Sequence, residues 1–136
     1  MLIDIDPDSE SPLYQQLRDQ VVQAIAEGAL QPGEALASVR QLAGQFGINS
    51  ATVGKGYDLL RQEGLVRTSR RSGSVVARGT VEPMTPGFAE AWTARLRTLL
   101  AEAVARGMPE QRIRNATDSL LNDFADRRAH SGRSAS

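Results

Sequence analysis

Three glycines, Gly28, Gly47 and Gly64, cut the first half of this 136-residue chain into amphipathic segments too short to fold alone. The first segment opens at Ser11-Pro12, a good N-cap followed by a residue suited to the first helical turn. Its apolar residues recur at Leu13, Leu17, Val21, Ala24 and Ile25, a helical stripe, and Pro32-Gly33 turns the chain beyond its end. The second starts at Ser38, with Gln41 at capping-box spacing, and turns Val39, Leu42, Ala43 and Phe46 to one side. The third runs from Asn49 or Ser50 to about Glu63 and directs Val53, Tyr57 and Leu60 inward. Helices this short are marginal in water, so the segments must bury one another's stripes. Gly54 and Gly56 lie inside the third, each weakening it by about 1 kcal/mol relative to alanine.

Two short strand candidates follow, Leu65–Thr68 and Ser74–Ala77, with Arg70 and Arg71 at the tip of the loop between them. Residues 79–87 hold two prolines and two glycines and read as a linker. Beyond it lie two more helical stripes, Phe88, Trp92, Leu96, Leu99, Leu100, Ala103 and Val104, then Ile113, Thr117, Leu120, Leu121 and Phe124. Gly107 closes the first and Pro109 opens the second. From about Asp126 the polar tail reads as disordered. The expected organisation is a domain over 1–78, a linker over 79–87, a helical domain over 88–127 and a tail over 128–136. The fold class is mainly α with a small β-hairpin.

Charge is uneven within a neutral total of 16 basic and 16 acidic residues. Residues 1–35 hold seven acids and one base. Residues 36–78 hold seven bases (Arg40, Lys55, Arg61, Arg67, Arg70, Arg71, Arg78) against Asp58 and Glu63. A negatively charged partner would meet that middle block. The chain has no cysteine, and its one histidine, His130, lies in the tail. Disulfides, thiolate metal sites and thiol nucleophiles are excluded, and no cofactor is expected. There is no nucleophile–base pair and no phosphate-binding glycine loop, so no enzyme is indicated. The two aromatics of the basic block, Phe46 and Tyr57, belong to inward helix faces, which leaves none to stack on single-stranded RNA. With no secretory apolar segment and no run long enough to span a bilayer, the chain reads as soluble and cytoplasmic.

Helix, short helix, longer helix and hairpin, with Gly47-Ile48 between the second and third, is the order of a winged helix-turn-helix. The small, polar start of the third helix, Asn49-Ser50-Ala51-Thr52, suits entry into a major groove. Lys55 stands one turn on, Arg40 lies on the preceding helix, and Arg70 and Arg71 would tip the wing.

These residues resemble the GntR family of bacterial regulators. The resemblance runs through Pro12-Leu13-Tyr14-x-Gln16-Leu17 and Pro32-Gly33-x-x-Leu36-x-Ser38-x-Arg40-x-Leu42-Ala43. It continues through Ile48-Asn49-x-x-Thr52-Val53-x-Lys55-x-Tyr57-x-x-Leu60-x-x-Glu63-Gly64-Leu65-Val66 and ends at Gly73-Ser74-x-Val76. The short C-terminal part is similar to the YtrA subfamily. The resemblance implies a transcription regulator, a repressor, binding a palindromic operator in double-stranded DNA as a homodimer. By it Arg40 matches a phosphate-binding arginine, Asn49 to Thr52 the start of the recognition helix, Lys55 a basic position and Gly73 the wing glycine. The candidate DNA-contacting set is Ser38, Arg40, Asn49, Ser50, Ala51, Thr52, Lys55, Arg70, Arg71 and Gly73. The chain departs from the family at Ala37, where proline is usual, at Gly54 and Gly56, and at Arg71, where a wing glycine is usual.

A two-helix hairpin leaves one apolar side of each helix open, so the C-terminal part is expected to pair with a second copy in a four-helix arrangement. The dimerisation set is Trp92, Leu96, Leu99, Leu100, Val104, Ile113, Leu120, Leu121 and Phe124. The competing expectation is a small-molecule sensor whose seam binds an unidentified effector near Phe88, Trp92, Arg95 and Phe124 and controls or weakens DNA binding.

Overall fold

A computed structural model of the chain describes residues 5, 6, 8–77 and 87–134, with side chains to 131. The elements in chain order are α1 (Leu13–Ala26), α2 (Val39–Phe46), α3 (Ser50–Gln62), β1 (Val66–Ser69), β2 (Gly73–Val76), α4 (Phe88–Ala105) and α5 (Glu110–Ser134). Two compact units result, Met1–Arg78 with Arg127–Ser136, and Gly79–Asp126. The expected linker falls, apart from Gly87, outside the described residues. Among the described residues no helix is long and apolar enough to cross a membrane.

The first unit is held by the stripes that the sequence sets out. Leu17 and Val21 of α1, Leu42 of α2, Val53, Tyr57 and Leu60 of α3, and Val66 and Val76 of the hairpin form one buried cluster. The starts of α2 and α3 are capped by side chains, whereas α1 has Pro12 at its N-cap with no side-chain bond, so Ser11 is not the cap that the sequence suggests. Ser38 and Gln41 exchange the two bonds of a capping box, each 3.0 Å, and Asn49 Oδ1 accepts from the Ala51 amide at 2.8 Å. The α1–α3 crossing explains one of the unexpected glycines. A Cβ on Gly56 would stand 3.1 Å from Leu17 Cδ2 and 3.1 Å from the Tyr14 carbonyl oxygen. Gly54 has no such neighbour within 4 Å, and packing gives no reason for it.

The strands are antiparallel, with Val66 opposite Val76 and Ser69 opposite Gly73. The turn is thus Arg70-Arg71-Ser72, followed by Gly73 at φ +70°, the left-handed residue a three-residue hairpin needs. Both strands are offset by one residue from their sequence expectation. The offset follows from that turn, because Gly73 joins β2. A third extended segment, unmarked by apolar alternation, lies along β2. Leu36 N donates to Ser74 O at 2.8 Å and Val76 N to Glu34 O at 2.9 Å.

The expectation of a disordered tail is corrected, since α5 continues to Ser134. Its last turns dock on the end of α1. Arg128 Nη1 donates to Ala26 O at 3.0 Å and Ser131 Oγ to Glu27 O at 3.5 Å. A Cβ on Gly28 would meet Arg128 Cα and Ser131 Cβ, both at 3.1 Å. The tail has no apolar stripe to announce a helix. What orders it is a polar bond to unpaired carbonyls at a helix end and the room left by a glycine.

In the second unit, α4 and α5 cover little of each other. Trp92 is 47% exposed, Leu99 61%, Val104 65%, and Leu120 and Leu121 60% each. Leu96, Ala103, Ile113 and Phe124 are half-buried.

Candidate nucleic-acid interface

The groove-reading segment expected from the sequence is the exposed first turn of α3. Ser50, Ala51 and Lys55 are exposed and Thr52 is half-exposed. Asn49 is the N-cap, so its Oδ1 is committed to the backbone and its amide group remains as the outward donor. Ser38 likewise spends an acceptor on Gln41 N and keeps its hydroxyl proton to donate. Lys55 Nζ lies 4.0 Å from the centre of the Tyr14 ring, a cation–π contact that draws the ammonium toward α1.

The six arginines described between residues 8 and 77 fall into two groups. Arg18 Nε donates to Glu63 Oε1 at 2.8 Å, its Nη2 reaches Glu63 Oε2, and its Nη1 reaches Asp19 at 2.9 Å. The Glu63 hydrogen bond raises the Arg18 pKa above its ordinary value, and burial only partly opposes it. Arg61 is similarly engaged with Asp58, Thr68 and Ser74. Arg40, Arg67, Arg70 and Arg71 are exposed and, among the described residues, bond through no side-chain nitrogen. Arg71 carries no backbone strain in place of the usual glycine, because no described non-glycine residue has a positive φ.

The entry to α2 is held from behind. Tyr57 Oη donates to Ala37 O at 2.6 Å, so a hydrogen bond from α3 restrains the segment where Ala37 replaces a stiffer proline. Burial pushes the Tyr57 hydroxyl pKa up to about 12, against an opposing pull from Arg61. The sequence places Tyr57 in the core but does not show this bond, and it counts Arg61 only among the bases of the middle block. Only the Asp58–Arg61 spacing on one helix face was a readable signal. The candidate residues of the second unit lie on α4 and α5. A cleft of about 600 Å³ between these helices is lined by Leu96, Leu100, Val104, Met108, Ile113 and the Glu110–Arg114 pair, among others. Phe88, Trp92, Arg95 and Phe124, the residues marked for an effector, do not line it.

A capped short helix, a glycine turn, a second helix with a small polar start and a buttressed hairpin define a winged helix-turn-helix regulator. The family model for bacterial regulatory proteins of the gntR family matches residues 13–76. The transcriptional repressor YtrA of Bacillus subtilis is 30% identical over 112 residues, 82% of this chain and 86% of that protein. A YtrA structure from Sulfolobus acidocaldarius is 34% identical with a TM-score of 0.61, over 77% of this chain and 99% of that one. A structure described as a transcriptional antiterminator from Listeria monocytogenes is 25% identical with a TM-score of 0.83, over 91% and 92%. The chain belongs to the GntR family and is a YtrA-like, DNA-binding transcription regulator.

Proposed function

We propose that the protein is a homodimeric repressor of a palindromic operator, with α3 of each protomer in the major groove and the hairpin on the flanking backbone or minor groove. The observation that carries this reading is the division among the cations. Arg18 and Arg61 are consumed by internal bonds, whereas Arg40, Arg67, Arg70 and Arg71 are left exposed on α2 and the wing. Cations held in the open by a folded unit are what a phosphate backbone neutralises. Ser50, Ala51 and Thr52 meet base edges, Asn49 and Lys55 flank them, and Ser38 and Arg40 take phosphates. Gly73 lets the wing backbone approach. The repressing sense is taken from the name of the Bacillus subtilis relative.

Dimerisation is supported by the large apolar side chains that α4 and α5 leave exposed, Trp92, Leu99, Val104, Leu120 and Leu121 among them. A second copy supplies a matching face by symmetry and sets two recognition helices about one DNA turn, roughly 34 Å, apart. A small-molecule effector is a second reading, resting on the cleft between α4 and α5. Its open apolar lining suits the second copy better, with the effector acting at the same seam.

The test is binding of the full chain to duplex from its own upstream region, at two salt concentrations, against excess unrelated duplex. The expected result is a footprint of two symmetric half-sites with strong salt dependence. Binding as a monomer to a single half-site would remove the dimer, and indifference to salt would remove the phosphate contacts.

A further inference from the structure

Arg61 stands at the junction of the recognition helix and the wing. From α3 its guanidinium reaches three acceptors. Nη1 donates to Asp58 Oδ1 at 2.7 Å, Nε to Thr68 Oγ1 at 3.1 Å and Nη2 to Ser74 Oγ at 2.7 Å. Thr68 and Ser74 are opposite each other on β1 and β2, one pair before the turn-closing pair Ser69 and Gly73. One planar group thus holds both strands just beneath the tip that carries Arg70 and Arg71. Hydrophobic packing does not reach this far. Val66, Val75 and Val76 are buried, while residues 67–74 contribute no buried side chain. The same guanidinium neutralises Asp58, an exposed carboxylate on α3 that would otherwise repel phosphate.

We infer that Arg61 is a positioning residue for DNA recognition, fixing the wing to α3 so that the two engage the duplex as one body. Arg61 spends its donors inside the protein and acts on DNA through Arg70 and Arg71. The inference rests on the proposed reading that these wing arginines touch DNA. A lysine keeps the charge but loses the planar fork that joins both strands and Asp58. Charge and bracing are therefore separable.

The experiment compares the unaltered 136-residue chain with Arg61→Lys, Thr68→Val/Ser74→Ala and Arg70→Ala/Arg71→Ala, alone and combined, for operator affinity across salt. Arg61→Lys and Thr68→Val/Ser74→Ala are each expected to weaken binding about tenfold, the scale of losing a wing contact. Combination with Arg70→Ala/Arg71→Ala should add little, because the path is shared. Amide exchange should quicken over 67–74 in Arg61→Lys and stay slow in α1 and α3, which separates a loosened wing from a failed fold. Full affinity in Arg61→Lys would show that charge alone matters and overturn the brace. So would losses that multiply independently with those of the wing arginines. If Arg70→Ala/Arg71→Ala binds like the wild type, the wing reading itself fails and the brace falls with it.

Discussion

Gly54 and Gly56 occupy one helix, two residues apart, yet alanine is expected to stabilise the fold at Gly54 and not at Gly56. The helix-propensity gain is common to both, about 1 kcal/mol each. At Gly54 nothing lies within 4 Å of the new Cβ, so Gly54→Ala keeps the whole gain. At Gly56 the Cβ meets Leu17 Cδ2 and Tyr14 O, both at 3.1 Å. Leu17 is fully buried and the Tyr14 carbonyl is part of the α1 backbone, so neither moves without disturbing the α1–α3 crossing. Overpacking of this kind costs about 1–3 kcal/mol. Gly56→Ala should therefore range from neutral to about 2 kcal/mol destabilising, leaving a gap of about 1–3 kcal/mol between the variants. Urea unfolding at one fixed protomer concentration measures this gap as a shift in midpoint at constant slope, since any linkage to self-association then affects both variants alike. If Gly56→Ala stabilises as much as Gly54→Ala, α1 yields without cost and close approach is not why glycine stands at 56.

Three further outcomes follow from the same geometry. Arg40→Ala should weaken binding to all duplexes and lower the salt slope by about one unit, and an unchanged slope would remove Arg40 from the phosphate contacts. Leu99→Glu should give monomers in sedimentation while the first unit keeps its helical signal, whereas persistence of the dimer at low concentration would displace the seam from α4. Tyr57 ties stability to alkaline pH. Its folded pKa of about 12 lies above the ordinary 10, so its contribution is complete below about pH 10 and is lost as pH rises through 12. That loss is about 2–3 kcal/mol, and Tyr57→Phe should cost about 1 kcal/mol at neutral pH while flattening the alkaline decline in denaturant titrations.

Much of the first unit was legible because its signals are local. The stripes at Leu17 and Val21, Leu42 and Ala43, and Val53, Tyr57 and Leu60 repeat at helical spacing, and each is buried. Ser38 with Gln41 declared a capping box that the backbone realises. The uncovered stripes of α4 and α5 were equally readable, because a hairpin of two such helices lacks the surface to bury them.

What tertiary structure decided are interactions between residues far apart in sequence, which leave no period to read. Gly56 reads as a weakness in a helix until α1 crosses it. Gly28 reads as a helix stop until the polar end of α5 packs on it, 100 residues later, through Arg128. Thr68 and Ser74 read as strand polarity until Arg61 spans them. The sequence by itself determined which elements form and which faces need covering, since propensity, capping and amphipathicity act within a few residues. Tertiary structure alone decided which cations are consumed internally and which stay exposed, because a charge is committed only when a distant acceptor is brought within about 3 Å of it.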